Sequence, residues 1–87
     1  MIKGLTYAIV WTERSRRDLA GLPKEVRARV VAKVLATLRE PHRFFFRLKG
    51  RLDHRLRVGD LRVLADILER EEALVVTAVL HRKNAYD

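Results

Sequence analysis

Three arginines at positions 55, 57 and 62 are the residues best suited to chemistry in this sequence. They fall within one short stretch, "HRLRVGDLRVLADI", residues 54 to 67. Gly59-Asp60 separates two runs of alternating residues. This is the signature of a two-residue hairpin loop with glycine in the first central position of a type II′ turn. The loop fixes the register: Val58 faces Leu61, Arg57 faces Arg62, Leu56 faces Val63 and Arg55 faces Leu64. Directly opposed residues project to the same side of a sheet. One face therefore carries Leu56, Val58, Leu61, Val63, Ala65 and Ile67, with His54 at its edge. The other carries Arg55, Arg57 and Arg62, with Leu64 and Asp66. Like charges directly opposed are unfavourable, so selection for stability alone would avoid Arg57 against Arg62. An anion among the three guanidinium forks resolves the conflict, because each fork can hold phosphate oxygens bidentately. The competing reading is a solvated basic surface, where screening reduces the repulsion to about a few tenths of a kcal/mol.

The C-terminal stretch "HRKNAY" adds a second group. Arg82 offers a phosphate contact and Tyr86 a ring on which a base could stack. The alternative for Tyr86 is a terminal aromatic closing over the sheet. His81 is either a general acid or base near neutral pH or a polar residue at a strand end.

Charge supports a polyanionic partner. The chain has 87 residues and a net charge of +8. Residues 42 to 62 hold seven basic side chains (Arg43, Arg47, Lys49, Arg51, Arg55, Arg57, Arg62) against Asp53 and Asp60. An excess confined to one segment points most often to nucleic acid. There is no cysteine, and His42, His54 and His81 lack clustered carboxylates, so no metal is expected. The residues suggest no small-molecule cofactor either. The apolar run from Leu5 to Trp11 is too short to span a bilayer and leads into "TERSRR". Neither a signal peptide nor a membrane anchor is expected, and the cytoplasm is the expected location.

The elements that must position these groups can be read from periodicity. Tyr7, Ile9 and Trp11 alternate with Thr6, Ala8 and Val10 as a first strand. Thr12 caps a short helix containing "ERSRRDLAGL", ended by Gly21 and Pro23. A second helix runs from Pro23 to about Glu40, where Pro41 stops it. Its apolar stripe comprises Val26, Val30 and Val34 with Val31, Leu35 and Leu38 beside them. Strands follow at "FFFRL", "HRLRV", "LRVLADIL" and "ALVVTAVL", with "EREE" as a polar loop between the last two. Length and order predict a single α+β domain over residues 1–87. Its antiparallel sheet carries an N-terminal two-helix hairpin on one face, in the order β-α-α-β-β-β-β.

Taken together, these segments resemble the RelE toxins of the RelE/ParE superfamily. "YAIVWTERSRRDLAGLPKEVRARVVAKVLATL" is similar to that family's first strand and helical hairpin. "RLKGRLDHRLRVGDLRV" is similar to its leucine-x-glycine element and "R-x-R-V-G-D-x-R" core, and "AVLHRKNAY" to its last strand and tail. The resemblance implies a microbial-ribonuclease-like fold and a toxin of a type II toxin–antitoxin system. It implies a ribosome-dependent endoribonuclease that cleaves mRNA by 2′-hydroxyl attack without a metal, and a cognate antitoxin, the ribosome and mRNA as partners. Carried over by position, Arg55 and Arg57 lie around the attacking hydroxyl and Arg62 stabilises the transition state. Arg82 lies near the leaving oxygen, and Tyr86 stacks on a base. Arginine stays protonated and makes a poor general base, which leaves His81 or His54 as a candidate proton carrier, with His54 placed badly for it on the apolar face. Leu61 stands where tyrosine is frequent in the family, and the usual aromatic near Leu64 and Ala65 is missing. These departures leave room for a slow or degenerate enzyme. The alternatives are a non-enzymatic ParE-type toxin that inhibits DNA gyrase and a plain RNA-binding domain.

Overall fold

The computed structural model describes residues 6–47 and 53–81. The elements are β1 (Ala8–Trp11), α1 (Glu13–Ala20), α2 (Lys24–Leu35), α3 (Pro41–Phe44), β2 (Phe46–Arg47), β3 (His54–Val58), β4 (Leu61–Leu68) and β5 (Ala73–His81). The strands form one five-stranded sheet in the order β1-β5-β4-β3-β2. The fold class is α+β, as the sequence predicts. Strands β2 to β5 are antiparallel neighbours joined in chain order. Strand β1 pairs parallel with β5. It is followed by helices rather than by a hairpin, so no tight turn dictates its direction.

The helices cover one face. Leu19 of α1 and Val30 and Val34 of α2 are buried against Leu56, Val58, Leu61, Val63, Leu74 and Val76 of the sheet. Leu35, expected in the α2 stripe, is exposed instead. The second helix also ends earlier than its periodicity suggests. The buried Thr37 hydroxyl donates to the Val34 carbonyl at 2.7 Å. The amides of Thr37, Leu38 and Glu40 close turns three residues back. A side chain that takes a helix carbonyl competes with the next helical turn. Pro41 then opens the one-turn helix α3, where its missing N–H costs nothing. Among the described residues no helix is long and apolar enough to cross a membrane.

Helix α1 also finishes the sheet edge. Strand β1 pairs with β5 only as far as Trp11 opposite Val76. Beyond that point α1 supplies polar partners. The Thr12 hydroxyl donates to the Thr77 carbonyl at 3.2 Å, and the Val79 amide donates to Asp18 Oδ2 at 2.9 Å. Thr12 is at the same time the N-cap, accepting from the Ser15 amide at 3.1 Å.

A β-bulge lies where these contacts fall. Leu64 pairs with Ala78, whereas Ala65 pairs with Val76, so Thr77 is the extra residue. Its hydroxyl donates to the Leu64 carbonyl at 3.2 Å. One extra residue reverses the side-chain parity along the rest of a strand. Leu74 and Val76 before the bulge and Val79 after it therefore all reach the helix-side core.

Candidate functional site

Strands β3 and β4 meet at a turn in which Gly59 has φ +57° and Asp60 does not have positive φ. That combination defines a type II′ loop. A Cβ on Gly59 would meet nothing within 4 Å, so the backbone angle alone calls for glycine there. The register is the one the sequence predicts: Val58–Leu61, Arg57–Arg62, Leu56–Val63 and Arg55–Leu64. Leu56, Val58, Leu61, Val63 and Ala65 enter the helix-side core, with Ile67 packed against them.

Arg55, Arg57 and Arg62 consequently share the opposite face, which none of the described helices covers. Leu64 and Ala78 are buried there with Leu80 packed on them. Reading across the strands, one row is Arg57, Arg62 and Leu80, and the next is Phe46, Arg55, Leu64 and Ala78. The arginines differ in depth. Arg57 is exposed and Arg55 half-buried, whereas Arg62 is only 3% exposed. Arg62 donates to the Leu61 carbonyl at 3.2 Å. The flanking pair Val58–Leu61 exchanges both ladder bonds in a two-residue hairpin. The Arg57–Arg62 pair is then of the non-hydrogen-bonded type, in which side chains lie closest.

The other expected site residues separate. His81 pairs with Leu61 and therefore projects to the helix side. There it lines a cavity of about 290 Å³ with Leu22, Val26, Val58 and Leu61. The expectation that His81 serves the same phosphate as the arginines does not fit this placement. The cause is the Thr77 bulge, which reverses the parity of the last residues of β5. His54 also lies on the helix side, with its ring centroid 5.9 Å from that of His42. Burial, followed by the nearby His42 and Arg47, holds the His54 imidazole below its ordinary value of 6.5. Asp66 and Asp53 act in the other direction. Arg82 and Tyr86 lie outside the described residues, as do Lys49 and Arg51 of the basic segment. Among the described residues no three His, Asp or Glu side chains form a set able to hold a metal.

Phe46 joins the arginine face as a residue that charge and motif spacing do not single out. It is directly opposite Arg55 and therefore on the arginine face, with 65% of its surface exposed. Alternation along "FFF" was a usable signal, since it sets Phe46 opposite in direction to the buried Phe45. The register that joins Phe46 to Arg55 was not readable, because no two-residue turn links β2 to β3.

The chemistry this face offers is electrostatic. Three cations set before a substrate arrives, one of them almost dehydrated, can stabilise charge that grows on a phosphate.

Residues 9–86 match the family model described as ParE toxin of type II toxin–antitoxin system, parDE. Solved structures agree in fold. A chain of the RelBE2 toxin–antitoxin complex from Mycobacterium tuberculosis is 30% identical with a TM-score of 0.77, over 92% of this chain and 95% of that one. A chain of the archaeal RelE–RelB complex from Pyrococcus horikoshii OT3 is 23% identical with a TM-score of 0.73, over 92% and 99%. The isolated E. coli RelE toxin is 18% identical with a TM-score of 0.73, over 86% and 83%. No curated protein sequence matches at a significant level. The chain belongs to the RelE/ParE family of toxins of type II toxin–antitoxin systems.

Proposed function

We propose that this toxin is an endoribonuclease that cleaves mRNA on the ribosome through its arginine face. The observation that carries the reading is Arg57 directly opposite the buried Arg62, with Arg55 beside them on the side of the sheet away from the described helices. In the reaction the ribose 2′-hydroxyl oxygen bonds to the adjacent phosphorus and gives up its proton. The bond from phosphorus to the 5′-oxygen breaks and that oxygen gains a proton, leaving a 2′,3′-cyclic phosphate and a free 5′-hydroxyl. Negative charge builds on the phosphorane oxygens, where Arg62 is the strongest stabiliser and Arg57 and Arg55 hold the phosphate near the attacking hydroxyl. Arg82 serves the leaving oxygen and Tyr86 stacks on a base, as the family resemblance implies. The partners are the ribosome, its mRNA and a cognate antitoxin. The relatives crystallised as toxin–antitoxin complexes support the antitoxin. The place of action is the cytoplasm, where ribosomes work.

Purified toxin added to ribosomes stalled on a defined mRNA should produce cuts within the occupied codon, with cyclic phosphate and 5′-hydroxyl ends. Naked mRNA should be cut far more slowly. The match to a ParE model favours a second reading, inhibition of DNA gyrase. Loss of gyrase supercoiling at toxin concentrations that leave ribosome-bound mRNA intact would replace the proposal by that one.

A further inference from the structure

We infer that Phe46 is a stacking platform that holds one unpaired base of the RNA beside the arginine row. This rests on the reading of the arginine face as an RNA site and adds a residue to it. Phe45 is buried in the helix-side core, so the neighbouring Phe46 projects from the other face. Its partner across β2 and β3 is Arg55. A phenylalanine 65% exposed on a short edge strand gains little from the fold. In the same position it is a largely exposed ring whose cross-strand neighbour is an arginine. Single-stranded nucleic acid is held by this combination, with cations tracking the phosphates and an aromatic ring under a base.

The spacing suits such a strand. Neighbouring strands lie about 4.8 Å apart and residues rise about 3.4 Å along each. From the register, the Phe46 Cα is then about 8 Å from that of Arg57 and about 12 Å from that of Arg62. An extended strand of about one or two nucleotides covers that distance. A base resting on Phe46 would thus belong to a nucleotide close to the phosphate between Arg57 and Arg62, and would set the register of cleavage. The ring face accepts any base, so Phe46 contributes affinity and placement rather than a preference for one base.

The test uses a short single-stranded RNA carrying 2′-O-methyl groups, which binds but cannot be cut, and the full-length toxin. Phe46→Ala should weaken binding roughly 5- to 150-fold, the range for losing one stacked base. The slope of log affinity against log salt should stay unchanged, because no phosphate contact is lost. Arg57→Ala should instead lower that slope. Phe46→Trp should bind at least as well as wild type, and its added fluorescence should be quenched by the RNA. Wild-type binding with no change in Phe46→Ala, or full activity in Phe46→Leu, would overturn the stacking role alone. Weaker antitoxin binding by Phe46→Ala with unchanged RNA binding would also overturn it and make the occupant a protein. Failure of the wild-type toxin to bind the RNA, with no cleavage on ribosomes, would overturn the RNA-site reading and this inference with it.

Discussion

Replacing Arg62 by alanine tests most directly whether burial gives this cation its weight. Arg62 is 3% exposed, whereas Arg57, directly opposite, is exposed. A unit charge about 4 Å from an anionic oxygen is worth about 4 kcal/mol where the effective dielectric is near 20, and about 1 kcal/mol in water. Arg62 approaches the first limit and Arg57 the second. Removing one transition-state donor from a dehydrated site costs about 3–4 kcal/mol, a factor of roughly 10²–10³ in rate. Arg62→Ala should therefore slow single-turnover cleavage on programmed ribosomes by that factor at saturating toxin. Arg57→Ala should slow it about 5- to 10-fold, and the exposed Arg39→Ala hardly at all. Arg62→Lys should fall in between, since it keeps the charge and loses the planar fork. Thermal melting of each variant separates lost chemistry from lost fold. Equal losses for Arg62→Ala and Arg39→Ala would mean that only bulk charge matters. A larger loss for Arg57→Ala than for Arg62→Ala would refute the argument from burial.

Gly59→Ala should cost about 1–2 kcal/mol through its positive φ alone. Its melting temperature should drop by about 4–8 °C for each kcal/mol. Thr12→Ala removes both the α1 N-cap and the bond to the bulge carbonyl at Thr77, so denaturant unfolding should show a loss of about 1–2 kcal/mol. The lowered pKa of His54 makes stability depend on pH. The unfolded chain takes up this proton as pH falls through 6.5 while the folded chain still excludes it, so the contribution is complete above 6.5 and declines below it. His54→Phe should show a weaker decline than wild type in unfolding measured between pH 7.5 and 5.

The β3–β4 hairpin was legible because Gly59-Asp60 permits one register and the residues flanking it alternate from Arg55 to Val58 and from Leu61 to Val63. Its strand limits, 54–58 and 61–68, are those read from the sequence. The end of α2 was less legible, since the periodicity continues past Leu35 while a single buried hydroxyl at Thr37 redirects the backbone. The direction of β1 had no local signal at all, being set by what lies beside β5. The Thr77 bulge was hidden for a similar reason. "ALVVTAVL" reads as an ordinary strand, and the extra residue is fixed by Thr12 and Leu64, both distant in sequence. That one residue decides which side of the sheet His81 occupies. The burial of Arg62 was equally invisible, because alternation assigns a face and not a depth.

Two opposed energies explain how a fold can keep Arg57 against Arg62. Leu56, Val58, Leu61 and Val63 lie on the same two strands and are all buried in the helix-side core. Each such side chain contributes about 1.5–3 kcal/mol, whereas an opposed like-charge pair costs at most about 1 kcal/mol. The apolar face therefore sets the hairpin register by a wide margin, and the arginines are carried into place whether or not an anion is present. Preorganised charge of this kind acts most strongly on a transition state, because little reorganisation remains to be done when charge develops. The type II′ turn matters for the same reason. With β4 held by β5, a slip of β3 by one residue would turn Arg55 and Arg57 toward the helices, away from Arg62, and Leu56 and Val58 toward the other face. Foldedness and placement of the site are thus fixed by the same few residues, so damage to the turn should reach the arginine face before it reaches the outer helices.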